Sequence, residues 1–306
     1  MANLEDWFFK FNMWSFSKHQ LLNYCNRAYY YRYIGTALKS SPDFDVSKIK
    51  RLKGLNSKYV IQGSLVHEAI EDQITQHYLH RDINQESAKE KYFKRLNGFQ
   101  ATADDMILQY FNGEQKDPAF FDTIRTSGVE MLDTFFTIVW PNLKPLEYLS
   151  HEKFDRFMIG DIPVTVKLDY ITKNNDGGLV LSDWKTGKER KESNIQLGAY
   201  VLFAMGQYGK TADDVFSEII YLGSSGKSRP YKFSSDQLDE IKEIVISDFE
   251  IMNASYEMDK FPPDPSPRKC VNCQFATVCP DSRHKDQAVT PDDPSDPIND
   301  MLIDIS

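Results

Sequence analysis

The chain has 306 residues and is 41% hydrophobic, so it can bury a substantial core and is not intrinsically disordered. No apolar run reaches the roughly 20 residues of a membrane helix, and the N-terminal stretch lacks signal-peptide features, which predicts a cytoplasmic protein without a membrane partner. The net charge of −9 argues against a uniformly basic nucleic-acid-binding surface, although residues 281–306 alone contribute −5.

The first half of the chain has the periodicity of amphipathic helices. Residues 15–34 predict one helix, which Ser15 or Ser17 can cap, and residues 60–80 predict a second. Two or three more helices are predicted within residues 86–142, ending before Pro141 because proline interrupts a helix.

The second half changes to the period of two that is typical of strands. The predicted elements, in chain order, are strands at 152–159, 162–172 and 178–184, a helix at 193–206, strands at 217–223 and 229–233, and a helix at 235–258. The chain thus has helices first and then strands, with one helix connecting two of the strands. This order predicts an α/β fold with a mixed central sheet flanked by helices.

The domain organisation is predicted from this pattern and from the positions of the cysteines. Cysteines near both ends of the chain predict a small lobe that the two ends build together. The predicted parts are an N-terminal helical part of this lobe at 1–58, a core at 59–260 with a helical insertion at about 86–142, a C-terminal cysteine segment at 261–284, and a disordered acidic tail at 285–306.

Two carboxylates and a lysine form the first candidate site. Asp183 and Lys185 lie two residues apart on a predicted strand, so their side chains emerge on the same face, and the preceding strand carries Asp169. Two close carboxylates repel each other unless a cation lies between them, and Mg²⁺ or Mn²⁺ suits such oxygen ligands. This set can support phosphodiester hydrolysis, whereas an isolated acid–lysine pair of this kind is more often a surface ion pair.

Neighbouring helices offer further candidates. His67 lies on the predicted helix at 60–80, and its imidazole can ligate Mn²⁺, although a lone histidine on such a helix is more often simply packed or exposed. Gln196 and Tyr200 lie four residues apart on one face of the predicted helix at 193–206.

The order of these motifs resembles the RecB-like branch of the PD-(D/E)XK nucleases, and the strings DWKTG and QLGAY carry most of the likeness. The resemblance implies a restriction-endonuclease-like fold and metal ligation by His67, Asp169, Asp183 and the backbone carbonyl of Trp184. It implies that Lys185 is the catalytic lysine and that Gln196 and Tyr200 support catalysis or contact DNA. Lys167 departs from the family, which often has glycine two residues before the aspartate.

The chain has four cysteines, Cys25, Cys270, Cys273 and Cys279. Their spacing indicates a metal or cluster site rather than disulfides in a cytoplasmic protein, and zinc, iron–sulfur or metal-free structural cysteines are the alternatives. The pattern is similar to AddB-type nuclease domains and to the CRISPR-associated exonucleases of spacer acquisition. This resemblance implies a 4Fe-4S cluster on all four cysteines, in an iron–sulfur lobe that both chain ends form.

The resemblance implies a metal-dependent DNA exonuclease of CRISPR adaptation, recombination or repair, acting on single strands or DNA ends with little sequence specificity. Lys188, Arg190 and Lys191 directly follow the DWKTG string and are the predicted phosphate contacts. A protein partner or a homo-oligomer is compatible with the acidic charge. The alternatives are a non-catalytic or partner-activated iron–sulfur scaffold subunit of a DNA-processing complex, and a redox protein that uses the cluster.

Overall fold

The computed structural model describes residues 12–108, 118–187 and 194–283. Within these residues, one five-stranded sheet has the strands in chain order: β1 (Glu147–Ile159), β2 (Ile162–Lys173), β3 (Leu179–Lys185), β4 (Val215–Tyr221) and β5 (Lys227–Tyr231). Strands β3 and β4 are parallel, and the other neighbours are antiparallel. The predicted α/β fold with a mixed sheet flanked by helices is therefore confirmed.

Two turns determine how the first three strands align. Ile159 pairs with Ile162, so Gly160 and Asp161 form a two-residue turn, and Gly160 adopts a positive φ of 57° that glycine tolerates. Asn174 closes the next turn, because its side-chain oxygen accepts the backbone N–H groups of Asp176 and Gly178. The alignment of β1, β2 and β3 is thus fixed by local chemistry.

The helices surround this sheet. Their bounds are α1 (Phe16–Tyr24), α2 (Asn26–Tyr29), α3 (Val46–Lys53), α4 (Lys58–Tyr78), α5 (Gln85–Ala101), α6 (Ala103–Met106), α7 (Pro118–Thr134), α8 (Trp140–Leu143), α9 (Ile195–Tyr208), α10 (Ser235–Asn253) and α11 (Pro267–Val271). Residues Tyr30–Ile34 and Phe135–Val139 are π-helical, and 3₁₀ turns occupy Gly35–Ala37, Ala212–Asp214, Leu222–Ser224 and Met258–Lys260. Helix α9 makes the crossover that a parallel β3–β4 pair requires.

Three helix predictions were wrong in detail. The helix predicted at 15–34 is interrupted at Cys25, whose extended backbone (φ −166°) separates α1 from α2. Pro141 does not end the helices of the insertion, because it lies in the first turn of α8, where a missing N–H group costs little. The helix predicted to reach residue 258 ends at Asn253.

Buried side chains form separate clusters on the two faces of the sheet. One face packs Val164, Val166 and Leu168 of β2 against α9, α10 and the N-terminal helices. The other face packs Tyr170 and Trp184 against α4, α5 and α7. Each fully buried aliphatic or aromatic side chain contributes roughly 1.5–3 kcal/mol, so both clusters hold the sheet rigidly between helical layers.

The N-terminal helices pack against the segment that follows α10. Arg27 donates from Nε to the Phe261 carbonyl at 2.9 Å, and Arg32 donates from Nη1 to Gln274 Oε1 at 2.6 Å. The Tyr24 hydroxyl donates to the Lys269 carbonyl at 3.0 Å. These bonds join parts of the chain that are more than 200 residues apart.

None of the described helices combines the length and the apolar character that crossing a lipid bilayer requires.

Candidate active site

A cavity of about 300 Å³ opens beside the end of β3. Residues of helices α4 and α5 and of strands β1, β2 and β3 line this cavity, and α5 lies in the region predicted as a helical insertion. His67, Asp169, Asp183 and Lys185 all line it, so four of the residues predicted from the sequence meet in one space.

Trp184 anchors the strand that carries two of these residues. Its indole is fully buried, with its ring centroid 5.3 Å from that of Phe135 and 6.3 Å from that of Tyr170. Because successive side chains of a strand point to opposite faces, this anchor turns Asp183 and Lys185 away from the aromatic cluster. The buried indole therefore fixes the orientation of the acid–lysine pair.

Asp169 is held by the backbone of the neighbouring strand. Its Oδ2 accepts the backbone N–H of Trp184 at 2.8 Å, while its Oδ1 lies 3.5 Å from His67 Nδ1. The carboxylate is 6% exposed, and the strand positions it independently of any ligand. One oxygen is thus used for support and the other faces His67.

Glu152 completes this group, although the sequence analysis did not single it out. Its Oε1 lies 3.5 Å from His67 Nδ1, and its Oε2 lies 2.7 Å from Lys167 Nζ. One ligand atom each from His67, Glu152 and Asp169 lies within 4.8 Å of the others. The signal was present in the hairpin, because counting back from its two-residue turn places Glu152 opposite Asp169.

The backbone at Glu152 is unusual for a strand. Its φ of 48° lies in the left-handed region, which costs a non-glycine residue on the order of 1–3 kcal/mol. Its neighbours His151 and Lys153 remain paired with β2. Strain of this kind persists only where the surroundings enforce it, and here it directs a carboxylate into the cavity.

The charged groups of this cluster shift one another's pKa values. Burial opposes a charged imidazole, but the carboxylates of Asp169 and Glu152 outweigh it and raise the pKa of His67 to about 10. Burial raises the pKa of Asp169, and the nearby charge of Glu152 adds to that rise. Burial acts the same way on Glu152, yet His67 and Lys167 together lower its pKa. The two carboxylates thus favour positive charge at His67, and a bound cation would supply that charge in place of a proton.

Lys185 stands at the start of a hydrogen-bonded chain. Its Nζ lies 3.0 Å from Asp183 Oδ2 and donates to Gln196 Oε1 at 3.2 Å. Gln196 Nε2 donates to the Tyr200 hydroxyl at 2.8 Å, and this hydroxyl donates to the Lys167 carbonyl at 2.7 Å. Gln196 and Tyr200 are both buried, so they connect Lys185 with β2 from beneath the cavity.

The donor set fits a hard divalent cation. Carboxylate oxygens and an imidazole nitrogen suit Mn²⁺, and oxygen donors suit Mg²⁺. The buried Oε1 of Glu152 makes no hydrogen bond of regular geometry among the described residues and has only the 3.5 Å approach of His67 Nδ1, so this oxygen fits the role of a metal ligand. Asp183 lines the same cavity. Among the described residues, however, the three side chains whose ligand atoms lie within 4.8 Å of one another are His67, Glu152 and Asp169, and they do not include Asp183.

The four cysteines line a second, smaller cavity between the N-terminal helices and α11. None of them forms a disulfide. Burial raises the pKa of the Cys273 thiol to about 12, and the neighbouring Cys25, Cys270 and Cys279 add to that rise. A thiol in such surroundings becomes a thiolate when a metal neutralises it, so these donors fit a soft metal or cluster.

The predicted phosphate contacts Lys188, Arg190 and Lys191 lie outside the described residues, so their positions stay a prediction.

Comparison with known proteins defines the class. Residues 13–280 match the family model described as the PD-(D/E)XK nuclease superfamily, and the chain belongs to that superfamily. A search of curated proteins found no match. Among solved structures, the chain is similar to one described as "Putative exonuclease" from Eubacterium rectale, at 9% identity and a TM-score of 0.32, over 74% of this chain and 90% of that one.

Proposed function

We propose that this protein is a metal-dependent DNA exonuclease that hydrolyses phosphodiester bonds. The observation that carries the proposal is the meeting of His67, Glu152 and Asp169 with Asp183 and Lys185 in one cavity. A surface ion pair has no need of buried like charges beside it, because burying charges costs several kcal/mol each. Membership of the nuclease superfamily supports the same reaction class.

His67, Glu152, Asp169 and Asp183 are the side chains that we propose hold Mg²⁺ or Mn²⁺, with the backbone carbonyl of Trp184. Bound there, the ion supplies a Lewis acid for the phosphate and lowers the pKa of a water nucleophile. Asp169 needs no rearrangement for this task, since the Trp184 N–H already fixes it. Glu152 is the ligand that the motif comparison alone does not suggest.

Lys185 is the proposed catalytic lysine. Its ammonium, 25% exposed, can orient the attacking water or offset charge that develops on the phosphate. Gln196 and Tyr200 act through Lys185 as positioning residues, because their hydrogen bonds hold the ammonium at the cavity and neither reaches the surface. This assignment favours support over direct DNA contact for both residues.

The substrate that we propose is single-stranded DNA or a DNA end. The cavity of about 300 Å³ lies within the roughly 300–1,000 Å³ range of ligand pockets, so it has room for one nucleotide unit. Lys188, Arg190 and Lys191 remain proposed phosphate contacts. CRISPR adaptation, recombination and repair in the cytoplasm are the settings in which such an activity is used.

We also propose that Cys25, Cys270, Cys273 and Cys279 hold a 4Fe-4S cluster. Their convergence on one cavity supports a shared ligand, and Asp264 donates its backbone N–H toward Cys25 Sγ at 3.5 Å, as donors around cluster sulfurs do. The role of this cluster is structural, because the cluster connects segments that are distant in sequence. Iron and acid-labile sulfide analysis of anaerobically purified protein tests this, and zinc in their place would contradict it.

Incubation with end-labelled DNA tests the enzymatic proposal. Anaerobically purified wild type receives single- or double-stranded DNA labelled at either end, with Mn²⁺, Mg²⁺ or EDTA. We expect metal-dependent shortening, reduced at least about 100-fold in Lys185→Ala. Lys173→Ala is the matched control, because that lysine lies on β2 in an exposed pair with Glu147 and should leave the rate unchanged.

The same assay separates the alternatives. Activity that survives in Lys185→Ala contradicts the assignment of the catalytic lysine. No degradation under any condition, in a protein that carries the cluster and co-purifies with a partner, indicates the scaffold function instead. The label that disappears first gives the polarity of digestion.

A further inference from the structure

The insertion helix α5 brings a cation to the catalytic cavity. Arg95 and Phe99, one turn apart on α5, line the cavity that Asp169, Asp183 and Lys185 line from the opposite side. The guanidinium lies 6.0 Å from the centre of the Phe99 ring. Residues of the insertion therefore form part of the cavity wall.

Arg95 is the most solvent-accessible cation of the described cavity wall. Lys167 and Lys185 pair with the buried carboxylates of Glu152 and Asp183, and their side chains are 27% and 25% exposed. The Arg95 side chain is 53% exposed, and its partner Glu68, at 3.0 Å from Nε, is itself 35% exposed. Exposed ion pairs contribute only about 0–1 kcal/mol, so Arg95 can exchange this partner at little cost.

DNA entering this cavity meets many acids. Glu68, Glu71, Glu152, Asp169 and Asp183 all line it, and a metal can offset the charge only of the acids that it contacts. A phosphate on the entry side needs a cation that the inner carboxylates do not already hold. The planar fork of arginine binds two phosphate oxygens at once, which gives it an advantage over lysine in this task.

We propose that Arg95 binds a backbone phosphate of the DNA strand next to the scissile bond, with Phe99 supporting the guanidinium. Glu68 keeps the guanidinium directed at the cavity before DNA binds and is then displaced by the phosphate. The helical insertion thus supplies a phosphate-binding site to the nuclease core. This inference rests on the proposed function.

Salt-dependent binding of a labelled oligothymidylate, followed by fluorescence anisotropy with Ca²⁺ replacing the catalytic metal, tests the inference. We expect Arg95→Ala to weaken binding about 10-fold or more and to reduce the slope of log K against log salt by about 0.7, the value for one lost contact to single-stranded DNA. Arg95→Lys should keep most of the slope, because it keeps the charge.

Arg125→Ala is the matched control. Arg125, on the insertion helix α7, also lies over a phenylalanine ring, at 5.4 Å from that of Phe93, and bonds to Asn97 at 2.9 Å, but it does not line the cavity. We expect wild-type affinity and slope from this variant. Mn²⁺ binding without DNA should be unchanged in Arg95→Ala, which shows that the ligand cluster is intact.

The outcomes separate the inference from the proposed function. If the wild type degrades DNA but Arg95→Ala binds DNA with the wild-type salt slope, the role of Arg95 is overturned and the proposed function stands. Equal loss of slope in Arg125→Ala also overturns it, because the effect then comes from the general charge of the insertion. A wild type that neither binds nor degrades DNA overturns the nuclease proposal and this inference together.

Discussion

The catalytic cavity and the cysteine cavity both collect side chains from distant parts of the chain, but they hold them differently. In the catalytic cavity, strand hydrogen bonds and ion pairs position the ligands, as the Trp184 N–H does for Asp169 and Lys167 does for Glu152. In the cysteine cavity, the thiols lie on α11, on the turns that follow it and at the break between α1 and α2. Side-chain hydrogen bonds of Tyr24, Arg27 and Arg32 connect these segments, in place of the strand pairing that supports the catalytic cavity.

This difference indicates two roles for bound metal. The sheet positions the proposed catalytic side chains by its own hydrogen bonds, so the proposed ion would contribute chemistry more than architecture. The cysteine cavity joins the chain ends through the bonds of Arg27, Arg32 and Tyr24 and through aromatic packing, so a group that binds all four thiols adds to the fold itself. Three substitutions test this contrast.

The largest effect on stability is expected from Cys273→Ser. If the four cysteines hold the proposed cluster, losing one thiol should remove the iron and lower the free energy of unfolding by more than about 4 kcal/mol, since lost metal sites are among the few causes of such large changes. Chemical denaturation and iron analysis of anaerobically purified protein measure both. Ala276→Ser is the control, because it adds a hydroxyl to the same cavity and keeps all four thiols. Unchanged iron content and stability in Cys273→Ser would remove the contrast.

An intermediate effect is expected from Glu152→Gln, and it concerns affinity rather than folding. Removing one proposed ligand should weaken Mn²⁺ binding at least about 10-fold, as measured by calorimetry without DNA. Glu147→Gln is the matched control, because Glu147 lies on the same strand and pairs with Lys173 of β2 at 3.1 Å, away from the cavity. Wild-type Mn²⁺ affinity in Glu152→Gln would exclude Glu152 from the ligand set.

The smallest effect is expected from Lys167→Met, which should strengthen Mn²⁺ binding where Glu152→Gln weakens it. The Lys167 ammonium, at 2.7 Å from Glu152, competes with a metal for that carboxylate. Its removal should strengthen Mn²⁺ binding about two- to five-fold, the range for a partly exposed ion pair. Weaker binding in the same calorimetric titration would mean that Lys167 positions Glu152 instead of competing for it.

Much of the fold follows from local sequence patterns. The period of two predicted strands at 162–172 and 178–184, each within one residue of the bounds of β2 and β3, and helix α4 lies within two residues of its predicted bounds. The break at Cys25 could not be predicted in this way, because the residues around it keep helical spacing. Its cause is tertiary, since the segment packs against the distant residues that surround the other cysteines.

The sequence predicted only the site residues that belong to recognisable motifs. His67, Asp169, Asp183 and Lys185 belong to recognisable strings, and the structure brings them to one cavity. Glu152 and Arg95 belong to no such string. Glu152 could be located only by counting back along the hairpin from its two-residue turn, and the position of Arg95 depends on the packing of α5 against α4 in the assembled molecule.

The two-residue turn at Gly160 and Asp161 has a consequence for the composition of the cavity. The length of this turn sets the register of the hairpin. A change of one residue in that length shifts β1 along β2 and exchanges the side chains that face the cavity with those that face away from it. A one-residue insertion or deletion there is therefore expected to remove Glu152 from the cavity while every recognisable motif stays intact. The length of this turn thus matters to the site as much as the identity of residue 152 does.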